Sequence, residues 1–200
     1  MNNYEWLIGR LDAFIRRYYA NRVIRGAAIF LICILFYLLT ASVGEFYLYM
    51  SVWLRVLIVS LFVILGGLSL VLLVIIPLAR MSRLGKVISH EQAATIIGRH
   101  FPEISDKLLN ILQLKKQDDQ NSSRELIEAS INQKVNQISV VPITTAIDLS
   151  KNKKYLPYLL PLLLIGVFIL VAAPNVFKEA SERLLRPTKT FERPALAVSK

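Results

Sequence analysis

Two stretches of this chain contain no Asp, Glu, Lys, Arg or His: Val56 to Ala79, 24 residues, and Tyr155 to Phe177, 23 residues. A helix rises about 1.5 Å per residue and the hydrocarbon of a bilayer is about 30 Å thick, so roughly 20 apolar residues suffice to cross it. Both stretches pass that length, and they dictate a membrane protein. The whole sequence agrees, with 54% hydrophobic and 19% charged residues. That balance disfavours a soluble enzyme, a disulfide-rich secreted module and a disordered tail. The single cysteine, Cys33, has no internal partner and is expected to pack as a small hydrophobe. The formal net charge of +10 suggests nucleic acid only until position is considered. The basic residues crowd the ends of the apolar runs, as a membrane surface requires, so no nucleic-acid partner is assigned.

Residues 1–25 carry five arginines against Glu5 and Asp12. Leu7, Leu11, Phe14, Ile15 and Tyr18 fall on one helical face, with Trp6 and Tyr19 near its edge. This basic amphipathic helix either lies in the lipid headgroup plane or packs on the protein's own cytoplasmic part. The first span runs over 27–43. Its long, patterned leader and the weak cleavage site at Ser42-Val43-Gly44 point to a retained anchor instead of a signal peptide. Residues 45–55 form a short turn rich in aromatics (Phe46, Tyr47, Tyr49, Trp53) that suit a membrane interface, and Glu45 is read as an interfacial residue there. The second span, 56–79, carries Gly66, Gly67 and Ser69 near its middle, small enough to admit a neighbouring helix.

Residues 80–154 form the one sizeable polar segment between spans. From 81 to 153 it holds ten Lys or Arg and eight Asp or Glu, a near balance that predicts a folded, water-facing unit. Ser89 and Gln92 have capping-box spacing, and Ala93, Ile96 and Ile97 follow at core spacing. Pro102 suits the first turn of a second helix, with Ile104, Leu108, Ile111 and Leu112 as its stripe. Ser122 and Glu125 repeat the capping spacing before a third helix striped by Ile127, Ile131, Val135 and Ile138. The third span covers 155–177 and tolerates Pro157, Pro161 and Pro174 near its ends. Residues 178–200 begin the region beyond it, where the run Ala195-Leu196-Ala197-Val198 is expected to open a strand-rich part continuing past residue 200.

Lys and Arg near short loops set orientation. The first 25 residues hold five, Arg80 to Lys154 holds twelve, and the 44–55 turn holds only Arg55. The N-terminus and residues 80–154 are therefore expected in the cytoplasm, with the turn and the C-terminus on the far side. The fold expected is an all-α membrane protein: three transmembrane helices, a cytoplasmic helical segment between the second and third, and the start of an extracytoplasmic, β-rich region at the C-terminus.

No catalytic constellation emerges. His90-Glu91 opens like a zinc-protease helix, but the position that should hold the second histidine is Ala94. His100 has no partner pattern, and Asp118-Asp119 sits in a Ser/Asn/Gln-rich loop where solvation explains it. Nucleophile elbows, phosphate loops and Cys-x-x-Cys pairs do not occur. No catalytic, cofactor-binding or metal-ligating residue is assigned, and no cofactor is expected. The second and third spans lack the ionisable groups on which ion pathways rely, which argues against a transporter built from them alone.

The run Gln92-Ala93-Ala94-Thr95-Ile96-Ile97-Gly98-Arg99-His100-Phe101-Pro102-Glu103-Ile104-Ser105-Asp106-Lys107-Leu108-Leu109-Asn110 closely resembles the segment after the membrane hairpin in the DUF4175 family, particularly its Bacteroidetes members. Tyr4 to Tyr19, Thr145 to Asn152 and the stretch Phe191-Glu192-Arg193-Pro194-Ala195 are similar as well, so the resemblance covers essentially all 200 residues. It implies the N-terminal membrane module of a large bacterial inner-membrane protein. In that family three membrane helices precede a long extracytoplasmic region with β-rich and coiled-coil parts. The family has no established activity, so no site residue is carried over. Three functions fit this reading: an anchor and scaffold working through protein partners in the envelope, a homo-oligomer among them; an accessory subunit of a transport or secretion complex whose residues 89–138 dock a cytoplasmic partner; or an envelope enzyme with its active site beyond residue 200.

Overall fold

The computed structural model describes residues 3–82, 87–118 and 124–189. It is 89% helical, with no strand among the described residues. The elements are α1 (Asn3–Leu48), α2 (Val52–Leu70), a π-helical turn (Val71–Ile75), α3 (Ile76–Met81), α4 (His90–His100), α5 (Pro102–Asp118), α6 (Arg124–Ile138), 3-10 turns at Ile143–Ala146 and Leu149–Tyr155, α7 (Leu156–Ala172) and α8 (Pro174–Leu185). Three helical stretches are long and apolar enough to cross a membrane: Asn3–Leu48, Val52–Met81 and Ile143–Ala172. Ser122 of the second capping box, Asp119, and the strand-rich start expected near residues 195–198 lie outside the described residues.

Several boundaries differ from the sequence reading, and the turn expected over 45–55 narrows to residues 49–51. The amphipathic helix and the first span form one helix of 46 residues, with no proline to interrupt the chain between Asn3 and Leu48. The third span stops at Ala172, not 177. Pro174 has no N–H to continue the ladder, and its ring pushes Ala173 out of the helical region, to φ −142° and ψ 64°. Pro174 then serves as the first residue of α8, where its missing donor costs nothing.

The chain divides into two compact units, Met1–Val23 with Ile76–Lys151, and Ile24–Ile75 with Asn152–Lys200. The first is organised like a water-soluble domain. Leu7, Leu11, Phe14, Ile15 and Tyr19 of α1 share one apolar core with side chains of α4, α5, α6 and the turn at Ile143–Ile147. The apolar face of the N-terminal helix is thus spent on the protein itself. Ser89 caps α4 as its spacing predicts: its hydroxyl accepts from Gln92 N at 3.2 Å, and Gln92 Oε1 accepts from Ser89 N at 3.1 Å. Of the predicted stripes, Ile104, Leu108, Ile111 and Leu112, then Ile131, Val135 and Ile138, are buried, while the side chain of Ile127 lies outside those described. Gly98 lets α4 meet α5, since a Cβ there would lie 2.2 Å from Ser105 Oγ and 3.2 Å from its Cα.

The second unit has the opposite polarity. Most of its large apolar side chains are exposed, among them Leu61, Ile64, Leu164 and Phe168. Its buried positions include Ser42, Glu45, Arg55 and Arg183. Tyr37 of α1 stacks on Phe62 of α2, with centroids 4.3 Å apart, and donates its hydroxyl to Ile58 O at 2.9 Å. At Gly26 the pair closes to backbone contact, where a Cβ would fall 1.9 Å from the Leu73 carbonyl oxygen in the π-helical turn.

Candidate functional site: a buried charge cluster at the hairpin turn

The turn between α1 and α2 is three residues, Tyr49, Met50 and Ser51. Glu45 stands in the last turn of α1 and Arg55 is the fourth residue of α2. Each charge occupies the unfavourable end of its helix dipole, an anion near a C-terminus and a cation near an N-terminus. Together they cancel. Arg55 donates from Nε at 3.1 Å and from Nη2 at 2.7 Å to the same oxygen, Glu45 Oε1. Glu45 is 0% exposed and Arg55 2%. Two charges so far from water persist only when they are paired and further hydrogen-bonded. The second requirement is met by two carbonyls. Arg55 Nη2 donates to Met50 O at 3.1 Å within the turn, and Nη1 donates to Lys189 O at 2.9 Å, beyond the end of α8. Glu45 Oε2 is buried with no hydrogen-bond partner among the described residues.

Tyr49 has φ 47°, the one non-glycine residue with a positive φ among those described. A bulky side chain in that region costs of order 1–3 kcal/mol and persists where its surroundings hold it. The Arg183 guanidinium lies over the Tyr49 ring, 4.4 Å from its centroid, and also donates to Glu179 Oε2 at 3.1 Å. Arg183 projects from the face of α8 that buries Val176 and Ala180. Two arginines from opposite partners thus join the hairpin turn to α8 and the residues after it.

The residues singled out in the sequence fall elsewhere or change character. Glu45, read as interfacial, is a fully buried ion-pair partner. His90 pairs through Nε2 with Asp12 Oδ1 at 2.9 Å, linking the first turn of α4 to α1. His100 makes an edge contact with Phe101. Asp118 ends α5. Cys33, expected to pack, is exposed, and with Ile34 and Tyr37 it borders an apolar groove of about 540 Å³ whose other wall is α2 around Gly66 and Ser69. A Cβ at Gly67 would meet nothing within 4 Å, so between α1 and α2 the close backbone approach falls at Gly26 and not at the central small residues. No three His, Cys, Asp or Glu side chains among the described residues gather as metal ligands. Between the 3-10 turns of the third stretch, ahead of the apolar run that starts at Tyr155, Asp148 accepts from both the hydroxyl and the N–H of Ser150, which, with the charges of Lys151 and Arg17, hold its carboxyl below the usual Asp value.

No family model, no curated protein and no solved structure matches the chain.

Proposed function

We propose that this chain is the membrane anchor and scaffold module of a larger envelope protein of the type it resembles, the DUF4175 family, seated in the inner membrane of a bacterium. The observation that carries the reading is the shared core of the first unit. Residues 7–19, which precede the first span, and residues 93–147, which separate the second from the third, bury their apolar faces against one another. Side chains in one core occupy one compartment, and two crossings lie between these segments. The lysine and arginine count favours the cytoplasm as that compartment. The contact of Arg55 with Lys189 O supports the other half of the threading, because it brings the residues after α8 to the hairpin turn. The helical unit is then the cytoplasmic face of the module, and the chain after α8 continues on the opposite side, where it meets envelope partners.

A cysteine-accessibility map tests this. In a Cys33→Ala background, a cysteine at Thr95 is expected to react with an impermeant maleimide only after the membrane is opened. Cysteines at Tyr47 and Thr188 are expected to react in intact spheroplasts. Reaction at Thr95 from outside, or protection at Thr188, overturns the threading and the scaffold role built on it.

A further inference from the structure

We infer that Arg55 is a positioning residue: with Glu45 and the Tyr49–Arg183 stack it forms a clasp that fixes α8 and the chain up to Lys189 to the hairpin turn, setting their direction after the break at Ala173. The need for such a device is visible at Ala173, where the helical ladder between α7 and α8 is broken by Pro174. A break of this kind leaves the direction of α8 to its side-chain contacts. Beside the burial of Val176 and Ala180, two polar contacts supply it. The first is the fork of Arg55, held from one side by Glu45 and reaching with Nη1 to the Lys189 carbonyl. The second is the Arg183 guanidinium on the ring of Tyr49, a residue kept in a left-handed conformation that tyrosine rarely adopts. The strain at Tyr49 and the burial of an ion pair beside it are both costs, and both fall at the same joint, which is where a fold retains costly geometry for a purpose.

The clasp concerns the exit segment relative to the turn, so it holds on whichever side of the membrane the turn lies, and its test is separate from the accessibility map. The full chain, Cys33→Ala, is placed in lipid nanodiscs with nitroxide labels at Tyr47 and Leu185, both highly exposed. A second sample carries labels at Thr40 and Trp53, within the hairpin alone. Pulsed electron spin resonance is expected to give one narrow distance for each pair. Arg55→Met is expected to abolish the narrow peak of the 47–185 pair while the 40–53 pair stays sharp, and Arg55→Lys, which keeps the charge and loses the fork, to broaden it part of the way. Should Arg55→Met fail to accumulate, Arg183→Met opens the second contact and is expected to broaden the same pair. An unchanged 47–185 distribution in the variant measured, or broadening of both pairs together, overturns the clasp.

Discussion

The two units of this protein solve the same problem with opposite materials. The first hides Leu, Ile and Phe and turns charge outward, while the second turns Leu, Ile and Phe outward and hides Glu45, Arg55 and Arg183. In water the hydrophobic effect holds a domain together, at about 25 cal/mol per Å² of apolar area buried. Lipid tails are as apolar as leucine, so between membrane helices that force vanishes, and close packing and polar contacts replace it. The backbone approach at Gly26, the Tyr37 hydroxyl on Ile58 O and the Glu45–Arg55 pair are contacts of that second kind.

This contrast can be broken by substitution. Arg55→Met strands a buried carboxylate and should destabilise the second unit by about 3–5 kcal/mol, while Glu45→Gln combined with Arg55→Met should recover much of that loss; thermal unfolding in nanodiscs reads both, and a harmless single variant would end the argument for a buried pair. Phe14→Ala should cost the first unit a similar amount, about 3–5 kcal/mol. Phe168→Ala, at a position 71% exposed, should stay within about 0.5 kcal/mol in lipid, as surface positions do. Equal effects from the two phenylalanines would erase the distinction between the units. Gly26→Ala drives a methyl into the Leu73 carbonyl and should weaken the hairpin by about 1–3 kcal/mol, whereas Gly67→Ala should leave its melting temperature unchanged. Ser89→Ala removes the α4 cap and should lower first-unit stability by about 1 kcal/mol, measurable by limited proteolysis between residues 87 and 101. Asp148→Asn should have the smallest effect, and a pH-dependent one. The Asp148 carboxyl sits below its ordinary value in the folded protein, so the ionised group contributes stability above about pH 4, lost as pH falls through the folded value. The variant should show a flatter acid unfolding profile than the parent.

The first unit was largely legible in the sequence because its signals are local and repeat. A capping box occupies four residues, a proline marks a first turn, and an apolar stripe recurs every three or four positions, and Ser89–Gln92, Pro102 and Ile104–Leu112 all read that way. Length and composition likewise exposed the three apolar helices. The second unit was opaque at the level of its contacts. A span that is apolar on every face carries no period to say which side meets a neighbour, so the π-helical turn at Val71–Ile75 and the contact at Gly26 left no trace. Glu45 and Arg55 are ten residues apart across a turn, and Arg55 meets a carbonyl 134 positions away. Their one available signal was that each charge sits at the wrong end of its helix, a mismatch that asks for a partner.

Arg55 grips the main chain at position 189 and not a side chain. Every amino acid brings the same carbonyl to that place, so evolution is free to rewrite residue 189 without disturbing the hold. The arrangement is sensitive to spacing instead. Inserting or deleting one residue between Leu185 and Lys189 would present the wrong oxygen to the guanidinium, and chain length, more than chemistry, would be the trait under selection in that stretch.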